Sequence, residues 1–312
     1  MMHDPVVRWA AGIAFALLST TIDTSVYAQE HIALPPVNLG GTSFMDGVGG
    51  PGLLLREGLG VFDSQRFTDG RGARVPGNNG LFAFTSTTLA AYTTPFKFLR
   101  GNWGVEVLVP VVYAHVTTPA GSGSATGIGD ITFSAFVWQA PTLKLFGRQF
   151  FQRLDLDVVA PTAKYVSSAL VSVGSNVWSV NPYYAFTWLV TDRLETSWRL
   201  HYLWNSSNDA PGPAYQATRI QPGQAIHFNG AASIAVAPAF RVGVAGYVLR
   251  QITDSRANGH AVAGSPEQVV GLGPGFLASI GALQLGMNAY SELAVENRPR
   301  GTRATAVAMA AW

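Results

Sequence analysis

The chain has 312 residues, of which 48% are hydrophobic and only 12% charged, with a formal net charge of +2. A soluble domain carries roughly 25% charge, so this chain needs either an outsized core or a surface that faces something other than water. Its three lysines, Lys97, Lys144 and Lys164, and its scattered arginines form no basic run, which excludes a nucleic-acid footprint, and the absence of cysteine excludes disulfides and thiolate metal sites.

In chain order, Arg8 precedes an apolar stretch over 9–19, and Val26-Tyr27-Ala28 resembles a cleavage site with small residues at its key positions. Residues 1–28 are therefore expected to be a secretory signal peptide. The longest apolar run, 9–18, is too short for a membrane helix, which needs ~20 residues. Residues 29–51 read as a tail, in the periplasm or in a lumen. Within it Gly47-Val48-Gly49-Gly50-Pro51-Gly52 fits G-x-G-x-x-G, but no strand precedes it and a strand, not a helix, follows, so it is not a nucleotide loop.

From residue 52 onward, period-two alternation predicts strands at 52–67, 79–95, 102–116, 127–140, 149–161, 177–191, 193–206, 223–237, 239–253, 267–280, 282–295 and 301–312. The clearest is 194–205. Leu194, Thr196, Trp198, Leu200, Tyr202 and Trp204 share one face; Glu195, Ser197, Arg199, His201, Leu203 and Asn205 share the other. Connections alternate between tight junctions, at 191–193, 237–238 and 281, and long Gly/Ser/Pro/Asn-rich loops, at 68–78, 117–126, 162–176, 207–222 and 254–266. Aromatics recur near strand ends: Trp103, Trp138, Trp178, Trp188, Trp198, Trp204, Tyr247 and Tyr290. With no spanning helix, the remaining way to place so apolar a surface in lipid is a closed sheet. The expectation is an all-β fold: a closed antiparallel transmembrane β-barrel of about twelve strands over 52–312, in the outer membrane of a Gram-negative bacterium, with both termini on the short-turn, periplasmic side. A soluble sandwich is disfavoured because the outward faces are too apolar.

A lipid-facing charge is costly, so the charged and polar residues of alternating strands belong in the lumen. The candidates are Glu106, Asp130, Arg153, Asp155, Asp157, Tyr183, Glu195, Arg199, His201, His227, Arg250 and Glu292. They serve either to neutralise one another in a narrow barrel or to form a constriction that screens permeants. The histidines lack metal-ligand spacing, so neither metal nor cofactor is expected. Ser197, His201, Ser233 and His227 on neighbouring strands raise a membrane-embedded hydrolase, but no G-x-S-x-G elbow is present and catalysis is not expected. The last strand, ending in Trp312 after an outward row of alanines, suits recognition by the outer-membrane assembly machinery.

Several short pieces in order carry a family resemblance: Gly50-Pro51-Gly52-Leu53-Leu54-Leu55, Gly127-Ile128-Gly129-Asp130-Ile131, Ala160-Pro161-Thr162-Ala163-Lys164-Tyr165, Asn176-Val177-Trp178-Ser179-Val180-Asn181-Pro182, Gly246-Tyr247 with Arg250-Gln251-Ile252-Thr253-Asp254, Leu272-Gly273-Pro274-Gly275, and Glu296-Asn297-Arg298-Pro299-Arg300-Gly301. Together they resemble the SphA-like family of outer-membrane proteins encoded with phenol meta-pathway degradation enzymes. Ala163 departs from that pattern, where glycine is the norm. The resemblance implies an outer-membrane barrel that takes up hydrophobic or aromatic compounds, and supplies no ligand residues. Passive passage of small molecules is thus the expected function, and a structural or adhesive barrel with ligand-binding loops the alternative.

Overall fold

Strict alternation turns this chain into barrel staves, because each strand must satisfy lipid on one face and a polar lumen on the other. The computed structural model describes residues 31–312, so the expected signal peptide lies outside the described residues. Among these the staves number twelve: β1 (Gly52–Ser64), β2 (Gly80–Phe98), β3 (Gly101–Thr118), β4 (Gly121–Ile128, continued by Ile131–Gln139), β5 (Arg148–Ala160), β6 (Ser179–Leu189), β7 (Leu194–Asn205), β8 (Ala225–Ala237), β9 (Phe240–Gln251), β10 (Gln268–Ile280), β11 (Leu283–Glu296) and β12 (Thr302–Ala311). Each pairs antiparallel with the next, and β12 pairs with β1 from Asp63↔Thr302 to Leu54↔Ala311. The sheet thereby closes on itself, and its backbone hydrogen bonds are met without water. The seam is fastened at the turn end, where Leu53 and Trp312 exchange backbone bonds of 3.0 and 2.9 Å.

The outward rows are apolar: Leu53, Leu55, Leu59 and Val61 on β1, Val105, Val107 and Val111 on β3, and Trp198, Leu200, Tyr202 and Trp204 on β7 are all exposed. One carboxylate breaks the rule. Glu57 continues the outward row of β1 and accepts hydrogen bonds from Ser86 Oγ at 2.5 Å and Thr88 Oγ1 at 2.7 Å, both on β2. Those donors lower the cost of a carboxylate facing hydrocarbon. Tyr247 and Tyr290, expected in the aromatic girdle, point inward instead. Their parity on β9 and β11 faces the lumen, where they pack edge to face, 5.1 Å between centroids.

The connection at 117–126 is also not a long loop. β3 and β4 run on as a hairpin with a two-residue turn at Pro119-Ala120. One of its glycines serves packing rather than irregularity: a Cβ at Gly123 would meet Leu170 of the long loop at 161–178 at 3.2 Å. That loop, 161–178, folds inward. Val171 and Val173 join Phe62, Phe67, Val75, Leu81, Ala83, Val112, Ala114 and Val116 in an apolar cluster at the loop end of the barrel. A small sheet (Ile220–Gln221, Arg256–Ala257, His260–Ala261) and Tyr215 cover the other half of the mouth, packed on Ile32.

Candidate functional site: a threaded lumen

The tail resolves into the lumen. Residues 31–51 form a thread without helix or strand, bent at 39–41 and turned at 44–47, whose contacts run through the lumen from the loop end to the turn end where β1 begins. Leu34, Leu39 and Phe44 pack against Tyr247, Leu249, Leu277 and Tyr290, all buried. Inward polar residues bind the thread's backbone along its length. Near the loop end, Glu267 Oε1 accepts the Leu34 N–H at 2.7 Å and lies 3.4 Å from His31 Nε2, while its second oxygen pairs with Arg298. Burial alone would raise the Glu267 carboxyl, but Arg298, His31 and the Leu34 amide more than offset it and hold the group below its usual value. Midway, Gly40 donates to Asn229 Oδ1 at 2.7 Å, and its carbonyl accepts from Tyr290 Oη at 3.0 Å and Thr305 Oγ1 at 3.1 Å. Gly40 adopts φ +73° there, and a Cβ would meet the Tyr290 ring at 2.7 Å, so both backbone and space call for glycine. Arg56 binds the Gly41 carbonyl.

Near the turn end the thread is latched by charge. Asp46 receives Arg199 Nε at 2.7 Å and Nη2 at 2.6 Å, a two-point fork. Arg153 Nη2 donates to the Asp46 carbonyl at 3.0 Å. Both guanidiniums are further oriented by Tyr183, whose ring lies 4.1 Å from the Arg199 Cζ and whose hydroxyl accepts from Arg153 at 3.2 Å and donates to Asp155 at 3.0 Å. Below them the Gly47 N–H donates to Thr187 Oγ1 at 2.8 Å.

Most of the residues expected in the lumen do face it. Arg153, Tyr183 and Arg199 form the latch; Glu106, Asp155 and Asp157 stand beside it. Glu195 lies lower, bound by Ser197 and Ser233 hydroxyls. His201 and His227 stack at 4.2 Å, with His227 Nε2 3.1 Å from Asn181 Oδ1. Glu292 accepts from Tyr247 Oη at 2.9 Å and from the Gly301 amide at 3.0 Å. Two expectations are corrected. Arg250 points outward: it occupies the exposed row of β9 at the loop end, where its head reaches water and pairs with Glu296 at 3.2 Å. Asp130 sits in the break of β4 at the rim, where it accepts from the Ala163 and Ser175 amides and ties down the inward loop.

The serine and histidine pairs considered for hydrolysis do not meet: Ser197 and Ser233 are bound to Glu195, and the histidines to each other and Asn181. A different pair, His115 Nδ1 and Ser124 Oγ, is 2.8 Å apart on the exposed hairpin, but among the described residues the far ring nitrogen meets only Thr117 Oγ1, at 3.4 Å, a neutral hydroxyl in place of an orienting carboxylate. Sequence reasoning missed Asp46, Arg56, Glu267 and Arg298. The usable signal for Asp46 was its standing as the one charge between residues 31 and 51.

A family described as "Putative MetA-pathway of phenol degradation" matches residues 64–307. The chain belongs to this family. No curated protein matches it in sequence. Among solved structures, an outer-membrane channel from Pseudomonas putida F1 superposes with a TM-score of 0.74 at 16% identity, covering 89% of this chain and 100% of that one. The NanC porin gives 0.41 at 10% identity, covering 83% and 99%, and the translocator domain of autotransporter NalP from Neisseria meningitidis gives 0.45 at 8%, covering 85% and 89%. The Pseudomonas putida match gives this chain the fold of an outer-membrane channel. Its apolar outer wall places it in the outer membrane of a Gram-negative cell, embedded in lipid.

Proposed function

We propose that the protein passes small hydrophobic or aromatic molecules across the outer membrane passively, after the thread or its latch shifts. The observation that carries this reading is the apolar cluster inside the loop end of the barrel, from Phe62 and Phe67 to Val171 and Val173. A barrel for sugars or ions has little use for so apolar a packing at its mouth, whereas a phenol-sized solute that parts these side chains gains burial among them before meeting the polar middle. The family's association with phenol degradation points the same way. The lining residues Glu106, Arg153, Asp155, Asp157, Tyr183 and Arg199 then form the constriction below that apolar cluster. Export with removal of residues 1–28, and recognition of the last stave with Trp312 by the assembly machinery, belong to the same reading. The test is uptake of phenol into proteoliposomes, alongside single-channel conductance. Faster phenol entry than in protein-free vesicles supports the proposal. An inserted barrel with no effect on entry refutes it and favours a structural barrel.

A further inference from the structure

Beside the latch, three carboxylates converge without a role in holding the thread. Glu106 on β3 and Asp155 and Asp157 on β5 each bring an oxygen within 4.8 Å of the other two. Among the described residues, none of the three takes part in an ion pair; Arg199 and Arg153 are engaged by Asp46, and Arg56 by the Gly41 carbonyl. The unpaired atoms are a second, separate observation. Asp155 is 0% exposed and Asp157 7%, yet Oδ1 of each accepts no hydrogen bond. Buried carboxylate oxygens are ordinarily paired, hydrogen-bonded or bound to metal.

The chemistry of the donors narrows the choice. All are hard oxygens, with neither sulfur nor imidazole among them, which suits calcium or magnesium rather than zinc or copper. The Tyr183 hydroxyl already holds Asp155 Oδ2 and leaves Oδ1 free, as outer partners of metal ligands do. Glu106 is only half-buried and gives the site a side open to lumen water. Calcium tolerates irregular sets of carboxylates completed by water, whereas magnesium demands near-ideal octahedra.

We propose that Glu106, Asp155 and Asp157 form a lumen site for a hard divalent cation of the calcium type. The cation joins β3 to β5 across β4, next to the arginines that hold Asp46, and so stiffens the wall against which the thread is latched. The inference does not depend on the permeant being aromatic.

The test uses the mature chain refolded in detergent, stripped with EDTA and titrated with calcium by calorimetry, with terbium luminescence as a second readout. One saturable site is expected, together with a calcium-dependent rise in the temperature at which the barrel loses its compact form on gels. Glu106→Gln and Asp157→Asn should each weaken binding at least tenfold. Wild-type protein that shows no saturable binding by roughly 10 mM, beyond the weakest extracellular calcium modules, overturns the proposal. So does undiminished binding in both variants, which places the ion elsewhere. Stability that responds to pH but never to calcium assigns the three carboxylates to protons and also overturns it. If either variant misfolds, the wild-type titration still decides.

Discussion

Replacing Asp46 by alanine should unlatch the thread. The side chain makes two short bonds to Arg199 and sits 3.6 Å from Arg153, with the side chains of all three largely buried. Removing one partner of a buried pair costs about 3–5 kcal/mol, because the opposite charge is left unmatched. At 1.4 kcal/mol per decade, the lifted state of the lower thread should become roughly a hundred- to several thousand-fold more populated. The chain has no cysteine, so Ser43→Cys gives one labelling site next to the latch. A water-soluble maleimide should react slowly with this introduced thiol in the otherwise native barrel and markedly faster once Asp46→Ala is added, and single-channel recordings should show longer or larger openings. Equal labelling rates and identical conductance in the two backgrounds would show that hydrogen bonds higher in the thread suffice to hold it and that the latch is not the controlling element.

Leu200→Arg puts a charge on the outward row of β7, between Tyr184 and Phe228, where Leu200 is half exposed; it should cost about 2–4 kcal/mol and reduce insertion into liposomes sharply, as read by protease protection. Glu267 ties the loop end of the thread. Its folded value is depressed, so its contribution is full above the unfolded value of about 4.3 and is lost as pH falls through the folded value. Acidification below about pH 4 should therefore raise protease sensitivity near residue 31, and Glu267→Gln should abolish that pH response. Gly271→Ala places a Cβ 2.2 Å from the Tyr247 ring, and overpacking of this kind should lower barrel stability by about 1–3 kcal/mol in a urea titration.

The staves were legible wherever one residue in two had to meet lipid. In 194–205 the outward row runs without exception, and the structure places β7 over the same residues. Misreadings arose where one composition serves two purposes. Gly and Ser between 117 and 126 resemble a loop, but the segment continues as strand, and Gly123 leaves room for Leu170. Tyr247 and Tyr290 resemble girdle aromatics, yet they form the wall that grips Gly40. Arg250 shares a mostly apolar row, and only its height at the loop end, where water is in reach, makes an outward charge tolerable. The thread itself carries no period. Its contacts join Asp46 to Arg199 and Leu34 to Glu267 across 153 and 233 residues, distances over which no local pattern reports.

The threaded segment also alters the sidedness of the molecule. An even number of staves returns the barrel's two ends to the same face, and Leu53 and Trp312 indeed meet there. Yet residue 31 stands at the opposite mouth, because the thread is a thirteenth crossing made through the lumen rather than the wall. A tag appended after Trp312 should face the periplasm, on the side opposite the mouth where His31 is buried. The described segment thus touches both faces of the membrane without adding a stave: the thread links the loop mouth to the turn side through the interior of the wall it fills.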